Sequence, residues 1–105
     1  MSDIHSIGLQ QLIVIAPKKK KDKLLTLLNE HGAHSIEIVY AHGSANPSAL
    51  AAAFGFEVEL KKVFISCLVK NSDASQLIDI LYEEYDFKKP NTGIAFTIPV
   101  EGLAF

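Results

Sequence analysis

Hydrophobic residues along this chain recur at two spacings, one typical of strands and one typical of helices. The run from Leu9 to Ala16 is almost continuously apolar at its centre and predicts a β-strand covered on both faces. A helix is predicted next, from about Lys19 to His31, because leucines recur there at spacings of three and four. Its buried face is formed by Leu24, Leu27 and Leu28. Gly32 is expected to end this helix in a left-handed conformation.

The second half of the chain repeats the strand and helix spacings. Ile36 to Tyr40 alternates in polarity and predicts a strand, and Val58 to Val69 predicts a longer one. A helix is predicted from about Ala74 to Tyr85, with capping oxygens from the preceding Asn71-Ser72-Asp73. After a turn at Pro90-Asn91-Thr92-Gly93, a last strand is predicted from Ile94 to Glu101.

The resulting order, β-α-β-β-α-β, predicts an α+β fold of the ferredoxin-like type. In this sandwich, two helices cover one face of a four-stranded antiparallel sheet. The 105 residues are expected to form a single domain. We assign residues 1–8 to an N-terminal extension and residues 41–57 to a long connection between the second and third strands.

The polarity of the two faces of each predicted strand indicates whether the chain forms an oligomer. One face of each strand is predicted to meet the helices, including Val63, Ile65, Cys67 and Val69 of the third strand and Ile94, Phe96, Ile98 and Val100 of the last. The opposite faces mix apolar with polar residues, namely Val39, Phe64, Leu68 and Ala95 with Glu37, Ser66 and Thr97. Because so apolar a face is costly to leave in water, we expect a homo-oligomer, most simply a trimer. The alternative is a monomer with scattered surface apolar residues.

Composition limits the cellular compartment and the classes of partner that are expected. With 49% apolar and 21% charged residues the chain is too apolar for disorder, and its net charge of −2 gives it no overall attraction to nucleic acid. A single cysteine forms no internal disulfide. The N-terminus lacks a basic segment, and the run from Leu12 to Ala16 is too short to span a bilayer. A cytoplasmic protein without membrane insertion is therefore expected.

The connection from Ala41 to Glu57 is far longer than a hairpin needs. Loops of this length within compact domains are usually functional or disordered. Leu50, Phe54 and Phe56 are candidate anchors for a partner protein. Alternatively, they fold back onto the edge of the sheet.

Short motifs in consistent order resemble the PII signalling proteins over nearly the whole chain, from about Leu9 to Glu101. Ile15-Ala16-Pro17-Lys18 is similar to the basic turn after the first PII strand, and Gly43 to the start of the long T-loop. Lys62 matches the lysine that opens the third strand. Asn91-Thr92-Gly93 resembles the B-loop, and the segment from Phe96 to Glu101 the closing strand.

The resemblance implies a function as well as a fold. PII proteins are trimers that sense a small effector between subunits and regulate a transporter or an enzyme through the T-loop, so nitrogen regulation is implied here. An adenine nucleotide is the implied effector. The implied ligand-binding residues are Gly43, Lys62, Asn91, Thr92 and Gly93.

Several positions depart from the family pattern. Ile94 stands where ATP-binding members have a lysine, and no arginine follows the closing strand. The region Ser44-Ala45-Asn46 lacks the glutamine that helps bind 2-oxoglutarate and magnesium. Because charge-assisted contacts to phosphate would be lost, we expect a less charged ligand than ATP, such as a mononucleotide held by Lys62 and the amides around Gly43 and Gly93.

Each candidate residue also has a purely structural interpretation. Lys62 could be a solvated charge at a strand entry, and Gly43 and Gly93 could be turn glycines that require positive φ. The lysines at positions 18 to 21, with Lys23, could bind phosphate or nucleic acid, but more often such a run is a solvated helix start.

Metal binding and catalysis find less support in the sequence. Histidines at 31, 34 and 42 with Cys67 form no compact ligand set, and Cys67 is expected to be a small buried hydrophobe. A trimeric metal-binding protein like the CutA divalent-cation tolerance family is the alternative function. No nucleophile and base spacing or P-loop is found, so an enzyme is not expected. Asp79, Glu83 and Glu84 are interpreted as solubilising residues of the second helix.

Overall fold

The structure is a computed structural model that describes residues 8–42, 61–90 and 92–102. Its strands are β1 (Leu9–Pro17), β2 (His34–His42), β3 (Lys61–Lys70) and β4 (Ile94–Pro99). A 3₁₀ turn at Lys18–Lys20 leads into α1 (Lys21–Glu30), and α2 is Asn71–Glu83. The predicted element order is confirmed, with ends that differ by a few residues.

The sheet has the order β2-β3-β1-β4, and every neighbouring pair is antiparallel. Two strands that are adjacent in the sheet, β1 and β3, are thus joined through a helix and an edge strand, as in ferredoxin-like folds. The α+β prediction is confirmed. Within the described ranges, no helix is long and apolar enough to cross a membrane.

One face of the sheet and both helices form the core. Its members are fully or nearly fully buried apolar residues, namely Leu12, Val14, Ala16, Leu24, Leu27, Leu28, Val63, Ile65, Cys67, Val69, Ala74, Leu77 and Leu81. Gly32 ends α1 at a φ of 69°, as predicted, and its amide donates to the carbonyl of Asn29. Cys67 is 1% exposed, which confirms its role as a buried hydrophobe.

The predicted faces of β4 are wrong. Ala95 lies opposite Val14 and packs against the core, and Thr97 lies opposite Leu12, so the small residues of β4 face the helices. Ile94, Phe96 and Ile98 consequently face the other way. The sequence assignment put the bulky residues into the core because burying them is favourable, but the pairing of β4 with β1 turns its small residues toward the helices.

The face of the sheet away from the helices, called the open face below, is therefore more apolar than the sequence indicated. Alternation and register place there Gln11, Ile13, Ile15, Glu37, Val39, Lys62, Phe64, Ser66, Leu68, Ile94, Phe96 and Ile98. Val39 is 61% and Ile98 46% exposed, whereas Ile15 is fully buried between Phe64 and Ile94. The polar residues of the open face are Gln11, Glu37, Lys62 and Ser66. The Gln11 amide donates a hydrogen bond of 2.9 Å to the Ser66 hydroxyl.

The start of α2 also differs from the prediction. The helix begins at Asn71, inside the segment expected to cap it, and Lys70 stands at the capping position without a side-chain cap. Asn71 and Ser72 therefore belong to the first helical turn. Asp73 also lies there, where a carboxylate is favourable because of the helix dipole.

Candidate functional site

One end of the sheet gathers most of the predicted ligand residues. Because the strands are antiparallel, the ends of β1 and β2 meet the starts of β3 and β4 there, with Lys62 opposite both Pro17 and Ala41. We call this end the loop pole, because the segment 43–60 leaves from it. Lysines crowd this end and the segments that adjoin it, at positions 18 to 21, 61, 62, 88 and 89.

Lys62 lies on the open face at the loop pole and is only 7% exposed. Its interpretation as a solvated strand-entry charge is therefore wrong. Since a lysine can bury its aliphatic stem and still direct its charge to a polar partner, burial is compatible with a ligand role. That role stays a prediction.

Two further lysines share one aromatic ring. The Nζ atoms of Lys18 and Lys21 lie 5.3 and 5.7 Å from the ring centroid of Tyr40. Lys21 Nζ also donates a hydrogen bond of 3.2 Å to the Tyr40 hydroxyl, and this bond raises the pKa of Lys21. Asp22 approaches the same ammonium at 3.7 Å. Tyr40, two residues before the end of β2, thus holds the two ammonium groups together at the loop pole.

The described residues of the α2–β4 loop, 84–90, 92 and 93, are held by hydrogen bonds to the end of α2 and to one another. The amides of Phe87 and Lys88 donate to the carbonyls of Leu81 and Tyr82 at 3.1 and 3.3 Å. The hydroxyl of Thr92 lies 2.5 Å from the Asp86 carbonyl and 2.9 Å from that of Lys89. The Thr92 hydroxyl hydrogen is therefore committed to the loop, and only its oxygen lone pairs remain for a ligand.

Gly93 is needed for packing. A Cβ atom at this position would overlap the ring of Phe87. Its φ is not in the left-handed region, which among the described glycines is adopted by Gly8 and Gly32. The turn-glycine interpretation, which required positive φ, is therefore wrong for Gly93.

The lysine run at the start of α1 reaches this loop. Lys20 Nζ donates to the carbonyl of Thr92 at 3.4 Å and lies 5.9 Å from the ring centroid of Phe87. Sequence reasoning named Lys20 only as one of the run 18 to 21, because four consecutive lysines carry no signal that distinguishes one from the next. Lys18, Lys19 and Lys20 form the 3₁₀ turn, in which successive side chains point in different directions, and it is Lys20 that contacts the loop.

An open cleft of about 240 Å³ lies beside the loop, between α2 and β4. Its lining is mostly apolar and consists of Ile78, Leu81, Tyr82, Phe87, Gly93, Ile94 and Ala95. The site as a whole thus combines clustered ammonium groups with apolar and aromatic surface. Such a combination can bind an anionic organic molecule.

Cys67 lies in the core and does not belong to this geometry. Burial raises the pKa of the Cys67 thiol to about 11, so it stays protonated and unreactive at neutral pH. In the part of the chain that the structure describes, no three potential metal ligands cluster. Gly43, Leu50, Phe54, Phe56 and Asn91 lie outside the described residues.

One known protein family matches this chain. The model of the family "Nitrogen regulatory protein P-II" matches residues 9–104. Among curated proteins, no sequence matches this chain.

Solved structures share the fold at low sequence identity. A PII-like signalling protein from Thermus thermophilus is 20% identical, with a TM-score of 0.63 over 86% of this chain and 84% of that one. CPII from Thiomonas intermedia, bound to ADP, AMP and acetate, is 17% identical, with a TM-score of 0.62 over 85% and 82% of the two chains. A further CPII structure, bound to ADP, AMP and bicarbonate, has a TM-score of 0.62 at 16% identity and covers 91% and 93%.

Proposed function

We propose, from the premise that this chain belongs to the nitrogen regulatory protein P-II family, that it senses an adenine nucleotide and signals its presence to another protein. The observation that most supports a nucleotide effector is the crowding of lysines around the α2–β4 loop. Clustered ammonium groups attract phosphate. Structures of the same fold that hold ADP and AMP add support.

The proposed assembly is a homotrimer closed through the open face. Eight of the twelve residues assigned to that face are large and apolar, and Val39 and Ile98 are largely exposed in the single chain. Other copies of the chain are the natural cover, because burying apolar surface is the main driving force for association. Effector clefts would then lie between subunits, at the loop poles.

The proposed ligand contacts are those predicted from the sequence. Lys62, Thr92 and Gly93 lie on segments that meet at the loop pole, and Gly43 and Asn91 adjoin those segments in sequence. The Thr92 oxygen and backbone groups near Gly93 would orient the ligand, while lysine supplies charge. The missing lysine at position 94 favours AMP or ADP over ATP.

The proposed output is the connection 41–57, with Leu50, Phe54 and Phe56 as anchors for a transporter or an enzyme in the cytoplasm. An effector shifts such a loop only by binding one of its conformations better than another. The protein would thus regulate without catalysing a reaction.

Titration calorimetry tests the proposal on the full chain, with AMP, ADP and ATP in one series and Zn²⁺ and Cu²⁺ in another. We expect saturable heat with AMP or ADP, weaker binding of ATP, and little heat with the metals. Metal binding without nucleotide binding would instead favour the CutA-like alternative. Absence of both would leave neither function standing.

A further inference from the structure

The lysines at and beside the loop pole differ in how their charge is compensated. Lys88 and Lys89 pair with Glu83 and Asp86 at 2.9 and 3.7 Å, and Lys21 has Asp22 at 3.7 Å. Across residues 8–42, 61–90 and 92–102, no carboxylate lies within salt-bridge distance of Lys20.

Lys20 is also partly buried, unlike its exposed neighbours Lys18 and Lys19. Among the described residues, its ammonium contacts the carbonyl of Thr92, at the long distance of 3.4 Å, and the face of the Phe87 ring. A carbonyl and a ring stabilise a cation but do not neutralise it. Because a partly buried charge is less screened by solvent, an anion placed there gains more than at an exposed lysine.

We propose that Lys20 is the cation that binds a phosphate of the nucleotide at the α2–β4 loop. This assignment rests on the proposed function and names the charge that serves its ligand. An ammonium has three N–H donors, and the Thr92 carbonyl uses one, so two can donate to phosphate oxygens.

Lys20 would also couple the binding of the nucleotide to the α2–β4 loop. Its contacts with Thr92 and Phe87 join the start of α1 to the segment that carries Gly93. A phosphate that accepts from the same ammonium would therefore hold the two segments together. The phosphate site is thus formed by the start of α1 together with the α2–β4 loop, and not by that loop alone.

Calorimetry on the full-length Lys20→Gln variant tests the assignment, since glutamine keeps a donor for the Thr92 carbonyl and removes the charge. Loss of a hydrogen bond to a charged group predicts ADP binding weaker by roughly tenfold to a hundredfold. Adenosine, which has no phosphate, should bind both proteins equally. Lys19→Gln is the matched control, because it removes the adjacent exposed charge and should bind ADP within about twofold of the unmodified chain.

A second variant separates charge from packing. Lys20→Arg keeps the charge and should bind ADP more tightly than Lys20→Gln, while unfolding temperatures without ligand should be similar for both. Equal ADP affinity of Lys20→Gln and the unmodified chain would overturn the role of Lys20 and leave nucleotide sensing intact. An unmodified chain that binds neither ADP nor inorganic pyrophosphate would overturn both proposals.

Discussion

At the scale of single residues, the ring of Phe87 fills the space that a side chain at position 93 would need. Gly93→Ala is expected to destabilise the fold by about 1–3 kcal/mol, since either the ring or the strand must shift. Urea unfolding measures the change. Gly102→Ala, where nothing lies within 4 Å of the added atom, should cost less than about 0.5 kcal/mol.

Gly93→Ala made together with Phe87→Leu tests whether the Phe87 ring causes this destabilisation. The smaller side chain should relieve the overlap, so Gly93→Ala should cost less in the Phe87→Leu background than alone. An equal cost in both backgrounds would show that the backbone at position 93, and not the ring, requires glycine.

Sequence reasoning named some of the candidate residues and did not distinguish Lys20, for a physical reason. Thr92 and Gly93 were named because their turn before β4 resembles the B-loop of PII proteins, and such a turn is a local signal. Lys20 reaches Thr92 across 72 residues, and no local pattern encodes such a contact. The burial of Lys62 was missed likewise, because it depends on β1 and β2 lying on either side of it.

At the scale of elements, α2 lacks a side-chain cap. Lys70 has the extended backbone of a capping residue, with φ −68° and ψ 153°, but no side-chain hydrogen bond to the helix. Lys70→Asn should stabilise the protein by about 0.5–2 kcal/mol relative to Lys70→Ala, because the amide oxygen can accept from the amides of the first turn. Equal urea midpoints for the two variants would contradict this.

Element types and order were predictable, whereas the faces of β4 were not. Helix and strand spacings differ plainly in this chain, so the order β-α-β-β-α-β followed from them. In β4 both faces carry apolar residues, and alternation alone does not say which one meets the helices. The choice depends on the long-range register of β4 with β1, which pairs Ala95 with Val14 of the core face and Phe96 with Ile13 of the open face.

At the scale of the whole molecule, the open face should decide assembly. The unmodified chain is expected to sediment at three times its mass of 11.5 kDa. Ile98→Glu should shift it toward the single-chain mass, because a carboxylate would be buried against the other copies. Tyr82→Glu is the control, since Tyr82 is 52% exposed on α2 and away from that face.

Two outcomes would contradict a trimer that is closed through the open face. An unmodified chain that sediments as a single copy at micromolar concentration would remove it altogether. A trimer that survives Ile98→Glu but dissociates with Tyr82→Glu would move the interface to the helices.

The two outer strands also limit how copies of the chain can join. The edge strand β2 is interrupted by a register shift between His34 and Glu37, where Ser35 has a φ of 52°, and the edge strand β4 is six residues long and ends at Pro99. A proline has no amide hydrogen to offer an incoming strand, and an irregular edge pairs poorly. Growth of the sheet from molecule to molecule, which leads to fibrils, is thereby disfavoured. Copies of the chain are therefore expected to associate through the open face, which a small and fixed number of copies can cover completely.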